Sequence, residues 1–166
     1  NNLFGGEKTK TLTIMGLRGT ETLNFDTNYM PTMNCAGKMI VKNLKISRVA
    51  PSANTWDVRD LMLRSDIEMN DVILEKGVAV CGDIDCKFTN VKFAESGDYY
   101  ALWIEAAGAN VELSGCTVTS AGRGIKIDEQ YVNDAVAKVT LNINGADFNT
   151  KKKAAIMVKS VAGADI

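Results

Sequence analysis

The 166-residue chain contains no histidine, and this absence removes several kinds of chemistry at once. Histidine-based catalytic triads, histidine acid–base catalysis and histidine metal ligands are all excluded. Its nineteen basic and twenty acidic residues give a net charge of −1. The chain therefore lacks the excess of positive charge that binding to nucleic acid requires, and we expect no nucleic-acid partner.

Long apolar runs are also absent, and none approaches the roughly 20 residues needed to span a membrane. The first residues, "NNLFGGEK", lack the basic-then-apolar build of a signal peptide. We therefore predict no membrane span and a chain without its leader. With 46% hydrophobic and 23% charged residues, the composition is ordinary for a soluble globular domain, so we expect one domain over residues 1–166.

The four cysteines show neither close metal-type pairs nor the density of a disulfide scaffold. Cys86 and Cys116 stand at apolar positions of the repeat described next, which predicts small buried hydrophobic residues. We expect no metal site and no cofactor.

The strongest signal is a six-residue pattern in which alternating apolar residues are followed by Asn, Asp or Gly and then another apolar residue. Its copies are "LTIMGL", "MIVKNL", "IEMNDV", "CKFTNV", "VELSGC" and "LNINGA", which start at residues 12, 39, 67, 86, 111 and 141. Because alternation places every second side chain on one face of a strand, the break in alternation requires a bend. Asn and Gly both tolerate the left-handed backbone of such a corner. The irregular spacing indicates repeats with loops of different length.

A third short apolar segment lies between successive corners, at residues 23–25, 61–63, 78–80, 102–104, 125–127 and 156–158. Three strands in each cycle predict an all-β, single-stranded parallel β-helix of about five to six coils, whose inward residues stack in columns. A β-sandwich is the alternative, but the segments are short and hairpin turns are mostly missing. The predicted core columns include Leu102, Ile104, Ile125, Ile127, Ile156, Val158, Val111, Leu113, Phe88 and Val91.

This pattern resembles the right-handed β-helix of the pectin-lyase-like superfamily, in which asparagine-rich corners stack into a ladder. Asn43, Asp71 and Asn90 match that corner, whereas Gly16, Gly115 and Gly145 depart from it. The segments "GDYYALWIE", "GCTVTSAGRGIKIDEQY" and "KKKAAIMV" are also similar to β-helical segments of large surface proteins of gut Firmicutes. The second resemblance implies an exported, wall-associated parent protein of which this chain is a fragment.

In pectin-lyase-like enzymes the site lies on an outer face of the coils, and the third strand of this chain is the nearest match. Outward positions on neighbouring coils place Trp103 beside Lys126 and Glu105 beside Asp128, with coils about 4.8 Å apart. Trp103 and the aromatic residues of the preceding loop can form a stacking platform for sugar rings. The predicted ligand-binding residues are Trp103, Glu105, Arg123, Lys126, Asp128, Tyr99 and Tyr100.

Two enzymatic alternatives use the same face. Carboxylates about 5 Å apart suit a retaining glycosidase, which makes Glu105 and Asp128 weak catalytic candidates. A polysaccharide lyase needs clustered acidic ligands for calcium, and the acidic residues of this face are scattered. The competing structural interpretation is that Glu105 and Asp128 are solvated strand ends whose charge Arg123 and Lys159 compensate.

We therefore expect a non-catalytic module of a cell-surface or secreted bacterial protein, acting as a scaffold, an adhesin or a carbohydrate-binding surface. A carbohydrate-active enzyme that uses Glu105 and Asp128 is the alternative. The expected partners are a polysaccharide or host glycan and other domains of the parent protein. The expected location is extracellular or associated with the cell wall.

Overall fold

The computed structural model describes residues 10–25, 31–48, 59–95, 100–105, 108–120, 123–128, 138–151, 154–159 and 164–165. Within these ranges the chain is all-β and forms no helix. The strands in chain order are β1 (Thr11–Met15), β2 (Thr22–Phe25), β3 (Thr32–Met33), β4 (Lys38–Arg48), β5 (Arg59–Leu63), β6 (Ile67–Leu74), β7 (Gly77–Val80), β8 (Asp85–Thr89), β9 (Lys92–Glu95), β10 (Tyr100–Ile104), β11 (Asn110–Ser114), β12 (Thr117–Ser120), β13 (Arg123–Asp128), β14 (Val139–Asn144), β15 (Asp147–Thr150), β16 (Ile156–Lys159) and β17 (Ala164–Asp165).

These strands form an eleven-stranded sheet and a six-stranded sheet, and the described strands pair in parallel. The larger sheet has two halves that meet at the corners. Its first half runs β1, β4, β6, β8, β11, β14 and β17, and its second half runs β2, β4, β6, β9, β12 and β15. The smaller sheet runs β3, β5, β7, β10, β13 and β16. Six cycles of the chain, which we call rungs, each add one strand or half of a long strand to all three ladders, and among the described residues β17 adds to the first ladder only.

The six copies of the sequence repeat pair in the predicted register. Their first residues form one continuous column across the first half of the larger sheet: Leu12, Met39, Ile67, Cys86, Val111 and Leu141. The smaller sheet likewise stacks Leu102 on Ile125 and Ile125 on Ile156, as predicted. Alternation excludes a slip of one residue, which would turn the whole apolar set toward solvent, and the corner residue shared by the copies excludes a slip of two.

The corner prediction is confirmed at five of the six repeats. Asn43, Asp71 and Asn90 have φ values of 53°, 54° and 53°, and Gly115 and Gly145 have φ values of 61° and 69°. Asn and Asp tolerate this left-handed region better than other residues with a Cβ atom, because their short polar side chains bond locally. β4 and β6 run through their corners without interruption, so these two strands are longer than predicted.

The first rung departs from the prediction. Gly16 is not among the left-handed residues, and the chain needs residues 16–21 to pass from β1 to β2. Segment 23–25 is therefore a second strand that pairs with β4, not the third strand of its rung. The third strand is β3, which pairs with β5. The prediction was wrong because the long first corner shifts the second and third strands of this rung to later residues, and sequence periodicity does not reveal the length of a loop.

The two sheets enclose one hydrophobic cluster. Of the ten predicted core residues, eight are fully buried: Leu102, Ile104, Ile125, Ile127, Val111, Leu113, Phe88 and Val91. Ile156 is half-buried, and the prediction for Val158 is wrong because its side chain is 46% exposed. Both belong to β16, which in the described ranges has a paired neighbour only on its β13 side. Inward phase therefore does not suffice for burial on an outermost strand.

Candidate functional site

The candidate site lies on the outer face of the smaller sheet, where β10 and β13 are neighbours. Their register places Tyr100 beside Arg123 and Trp103 beside Lys126. Leu102 and Ile104, which flank Trp103 on β10, belong to the core, so Trp103 has the predicted outward phase. We call the side chains brought together here the Trp103 cluster: Tyr100, Trp103, Arg123, Lys126 and Asp128.

Aromatic rings and cations alternate within the Trp103 cluster. The Lys126 Nζ atom lies 3.8 Å from the centroid of the Trp103 ring and 5.6 Å from that of Tyr100. The Arg123 guanidinium carbon lies 5.0 Å from the Tyr100 centroid. The two ring centroids are 6.4 Å apart at an interplanar angle of 48°. A cation over an aromatic face within about 6 Å is attracted by the ring quadrupole, so these contacts stabilise the cluster.

The same ammonium group also forms an ion pair. The Lys126 Nζ atom lies 2.6 Å from Asp128 Oδ2, and the two side chains are only 12% and 9% exposed. A buried ion pair is costly to disrupt because removing one partner leaves the other charge desolvated and uncompensated. Lys126 is therefore fixed from two directions, by the Trp103 ring and by the Asp128 carboxylate.

Glu105 lies at the end of β10 and is buried. Its backbone N–H donates to the Val80 carbonyl at 2.9 Å, and its Oε2 atom accepts a hydrogen bond from Cys81 Sγ at 3.4 Å. Because Ile104 pairs with Ile127, Glu105 and Asp128 follow at equivalent positions on neighbouring rungs, as predicted. The interpretation of both carboxylates as solvated strand ends is wrong, since both are buried.

Trp103 is too buried for a sugar ring to stack on it. Its side chain points outward from the sheet, yet Trp103 is 4% exposed, and Lys126 occupies one face of its ring. Outward phase therefore did not mean accessibility. Tyr100 is also buried, and Tyr99 lies outside the described residues.

Two contacts, one within reach of the Trp103 cluster and one at the neighbouring Glu105, were not predicted from the sequence. Tyr100 Oη donates a hydrogen bond to Met157 Sδ at 3.5 Å, and Cys81 contacts Glu105. Met157 has an outward position on β16, and Cys81 is the residue directly after β7 with the same outward phase. Strand phase could therefore have found both. Their residue types gave no reason to single them out.

In the part of the chain that the structure describes, no group of three or more Cys, Asp or Glu side chains is placed to hold a metal ion. Over the same ranges there is also no helix of the length and apolar character that crossing a membrane would need.

Comparison with known proteins gives no relative from which a function can be taken. No protein-family model matches the chain, and neither the curated proteins nor the solved structures yield a match.

Proposed function

We propose that the chain is a non-catalytic β-helical scaffold module of an exported bacterial surface protein. The observation that carries this proposal is the internal use of the Trp103 cluster. Its aromatic rings, cations and Asp128 carboxylate contact one another and are mostly buried. Residues that satisfy one another beneath the surface stabilise a stack of rungs and leave little for a ligand to contact.

The proposal includes a right-handed β-helix of the pectin-lyase-like type. Parallel strands joined by a crossover in one sheet are right-handed in about 98% of cases, and every rung returns to the same three ladders. Stacked rungs contact only their neighbours, which gives a stiff rod suited to displaying loops away from a cell wall. An experimental structure with left-handed crossovers, or with antiparallel paired sheets, would overturn this part.

The enzymatic alternative is less well supported by the geometry. The Asp128 carboxylate is bound to Lys126, and Glu105 is buried against Cys81. A substrate would have to open the Lys126–Asp128 ion pair to reach Asp128, and expose the buried Glu105, before either carboxylate could reach a glycosidic oxygen. General acid–base catalysis needs the group within hydrogen-bond reach of its target proton.

The deciding experiment tests turnover and binding on a panel of polysaccharides with the wild type, Trp103→Ala and Asp128→Asn. We expect no turnover by any of the three proteins. We also expect both substitutions to lower the free energy of unfolding, because they remove the partners of Lys126. Cleavage by the wild type that Asp128→Asn abolishes, with an unchanged far-ultraviolet spectrum, would establish the enzyme instead.

A second arm tests the location. Antibodies against the module should label intact cells of the source bacterium, because an exported surface protein is accessible without lysis. Labelling that requires permeabilised cells would contradict the surface assignment.

A further inference from the structure

A groove of about 270 Å³ lies on a different face of the molecule, the outer face of the first half of the larger sheet. It crosses four successive rungs and is lined by residues of β4 and β11 and by residues 66–68 and 85–87. Asp66 and Asp85 lie side by side at its centre, and we call it the Asp85 groove. Its floor is formed at Ile67 and Cys86, both core residues.

Two ion pairs flank the centre of the groove. Lys38 pairs with Glu68, and Lys87 Nζ lies 3.4 Å from Glu112 Oε2. These four side chains carry no net charge together. Each retains hydrogen-bonding capacity, because an ammonium has three donors and a carboxylate about four acceptor sites. The groove walls therefore offer both donors and acceptors to a polar ligand.

The central carboxylates are held in place but not neutralised. Asp66 Oδ1 accepts from the Asp85 N–H at 3.0 Å, and Asp85 Oδ1 accepts from Asn110 Nδ2 at 3.2 Å. These neutral donors fix the direction of both carboxylates. Among the described residues, neither carboxylate forms an ion pair. The groove accordingly has an excess of two negative charges, both at its centre, and favours a ligand with a cationic group.

The groove runs across the strands, so its polar groups repeat at the rung spacing of about 4.8 Å. An extended peptide repeats every two residues, or roughly 6.7 Å, and would lose register within two rungs. In an extended β-linked glycan successive sugars face opposite ways, so equivalent groups return after two sugars, a distance close to two rungs. Sugars also present hydroxyl groups that both donate and accept, as the groove walls require.

From this charge and spacing we infer that the Asp85 groove binds a chain of amino sugars with free amines, lying along the stack. One ammonium group lies between Asp66 and Asp85, and hydroxyl groups of neighbouring sugars reach Lys87, Asn110 and Glu112. This site goes beyond the scaffold proposal and does not depend on it, since the groove and the Trp103 cluster lie on different sheets.

The test is calorimetric titration of the whole chain with fully deacetylated glucosamine oligomers, at a pH below the amine pKa. Oligomers of N-acetylglucosamine, which carry no ammonium charge, serve as the uncharged comparison. We expect the deacetylated oligomer to bind, with affinity that rises from two sugars to four and falls as salt is added. The acetylated oligomer should bind more weakly, because it cannot neutralise the central carboxylates.

Variants locate the binding. Asp66→Asn and Asp85→Asn should each weaken binding of the deacetylated oligomer about twofold to fivefold, as expected for an exposed charge pair. Asp147 is an exposed carboxylate on β15. Asp147→Asn is therefore the matched control and should leave the affinity for the oligomer unchanged. The inference is overturned if the deacetylated oligomer does not bind, if all three variants weaken it equally, or if acetylation has no effect. Loss of binding in Trp103→Ala alone would instead move the site to the Trp103 cluster.

Discussion

Asn90 occupies the corner directly next to that of Asp71 in the stack, and its Nδ2 atom donates a hydrogen bond to Asp71 Oδ1 at 3.2 Å. Asn43 makes the same kind of bond toward the preceding rung, from Nδ2 to the Gly16 carbonyl at 3.0 Å. Both amides thus donate in one direction along the stack. Asp71 interrupts this series because a carboxylate has no donor to offer to Asn43.

Replacing Asp71 with Asn should therefore stabilise the protein. The new amide keeps the acceptor for Asn90, tolerates the φ of 54° and adds a donor toward Asn43, which we expect to be worth about 0.5–1.5 kcal/mol. Denaturant titration measures the change. Asp71→Ala is the control and should destabilise, because it loses the bond and strains the corner. A less stable Asp71→Asn would show that the carboxylate has a role outside the ladder.

The glycine corners allow backbone strain to be separated from crowding. Gly145 has a φ of 69° with no atom within 4 Å of a Cβ placed there. Gly145→Ala should then cost only the left-handed strain, about 1–2 kcal/mol. Gly145→Asn should cost less, because Asn tolerates this region.

At Gly115 an added Cβ would also lie 2.7 Å from Asn90 Oδ1, so Gly115→Ala should cost more than Gly145→Ala. Thermal unfolding of the three variants gives the order. Equal midpoints for the two alanine variants would show that the Asn90 side chain moves aside without cost.

A pair of residues in one column tests how burial depends on position in the stack. Ile127 and Val158 are register partners in the smaller sheet, but Ile127 is fully buried whereas Val158 is not. Ile127→Ala should destabilise by about 2–5 kcal/mol as a core truncation. Val158→Ala should change stability by less than about 0.5 kcal/mol. Equal effects in urea titrations would contradict the burial gradient toward β16.

Thiol labelling should divide the cysteines into two classes. Burial raises the pKa of the Cys86 and Cys116 thiols, whereas Cys35 and Cys81 are partly accessible. Because the thiolate is the reactive form, a disulfide reagent should label Cys35 and Cys81 in the native protein. All four should react in denaturant. Prompt native labelling of Cys86, identified by mass spectrometry, would mean that the first half of the larger sheet opens readily.

Acid should weaken the protein partly through Glu75. A hydrogen bond from Lys45, and then one from Ser47, lower the pKa of Glu75 below its ordinary value of 4.5, and Lys45 Nζ lies 2.7 Å from Glu75 Oε1. A lowered carboxyl pKa contributes stability above the unfolded value and loses it as pH falls through the folded value. The melting temperature should therefore fall below pH 4.5, and less steeply in Glu75→Gln. Parallel pH profiles for both proteins would exclude this contribution.

Alternation predicted the register of the stack because phase is a local property of each strand. The pairing of Trp103 with Lys126 followed directly from it. Accessibility is not local, since it depends on what lies over the sheet. The burial of Trp103 and Glu105 could not be read from their own strand. The Asp85 groove was missed for a related reason, because Asp66 and Asp85 stand just before the apolar repeat and become neighbours only when rungs stack.

The shared apolar column has a consequence for how such a chain changes over generations. Ile67, Cys86 and Val111 are interchangeable in role, because each presents one apolar side chain to the rung on either side. Deleting one full repeat between Ile67 and Val111 would bring two compatible surfaces together, and duplicating one would do the same. Recombination can therefore lengthen or shorten the stack by whole rungs, and each remaining apolar residue of the column still contacts an apolar residue on the next rung.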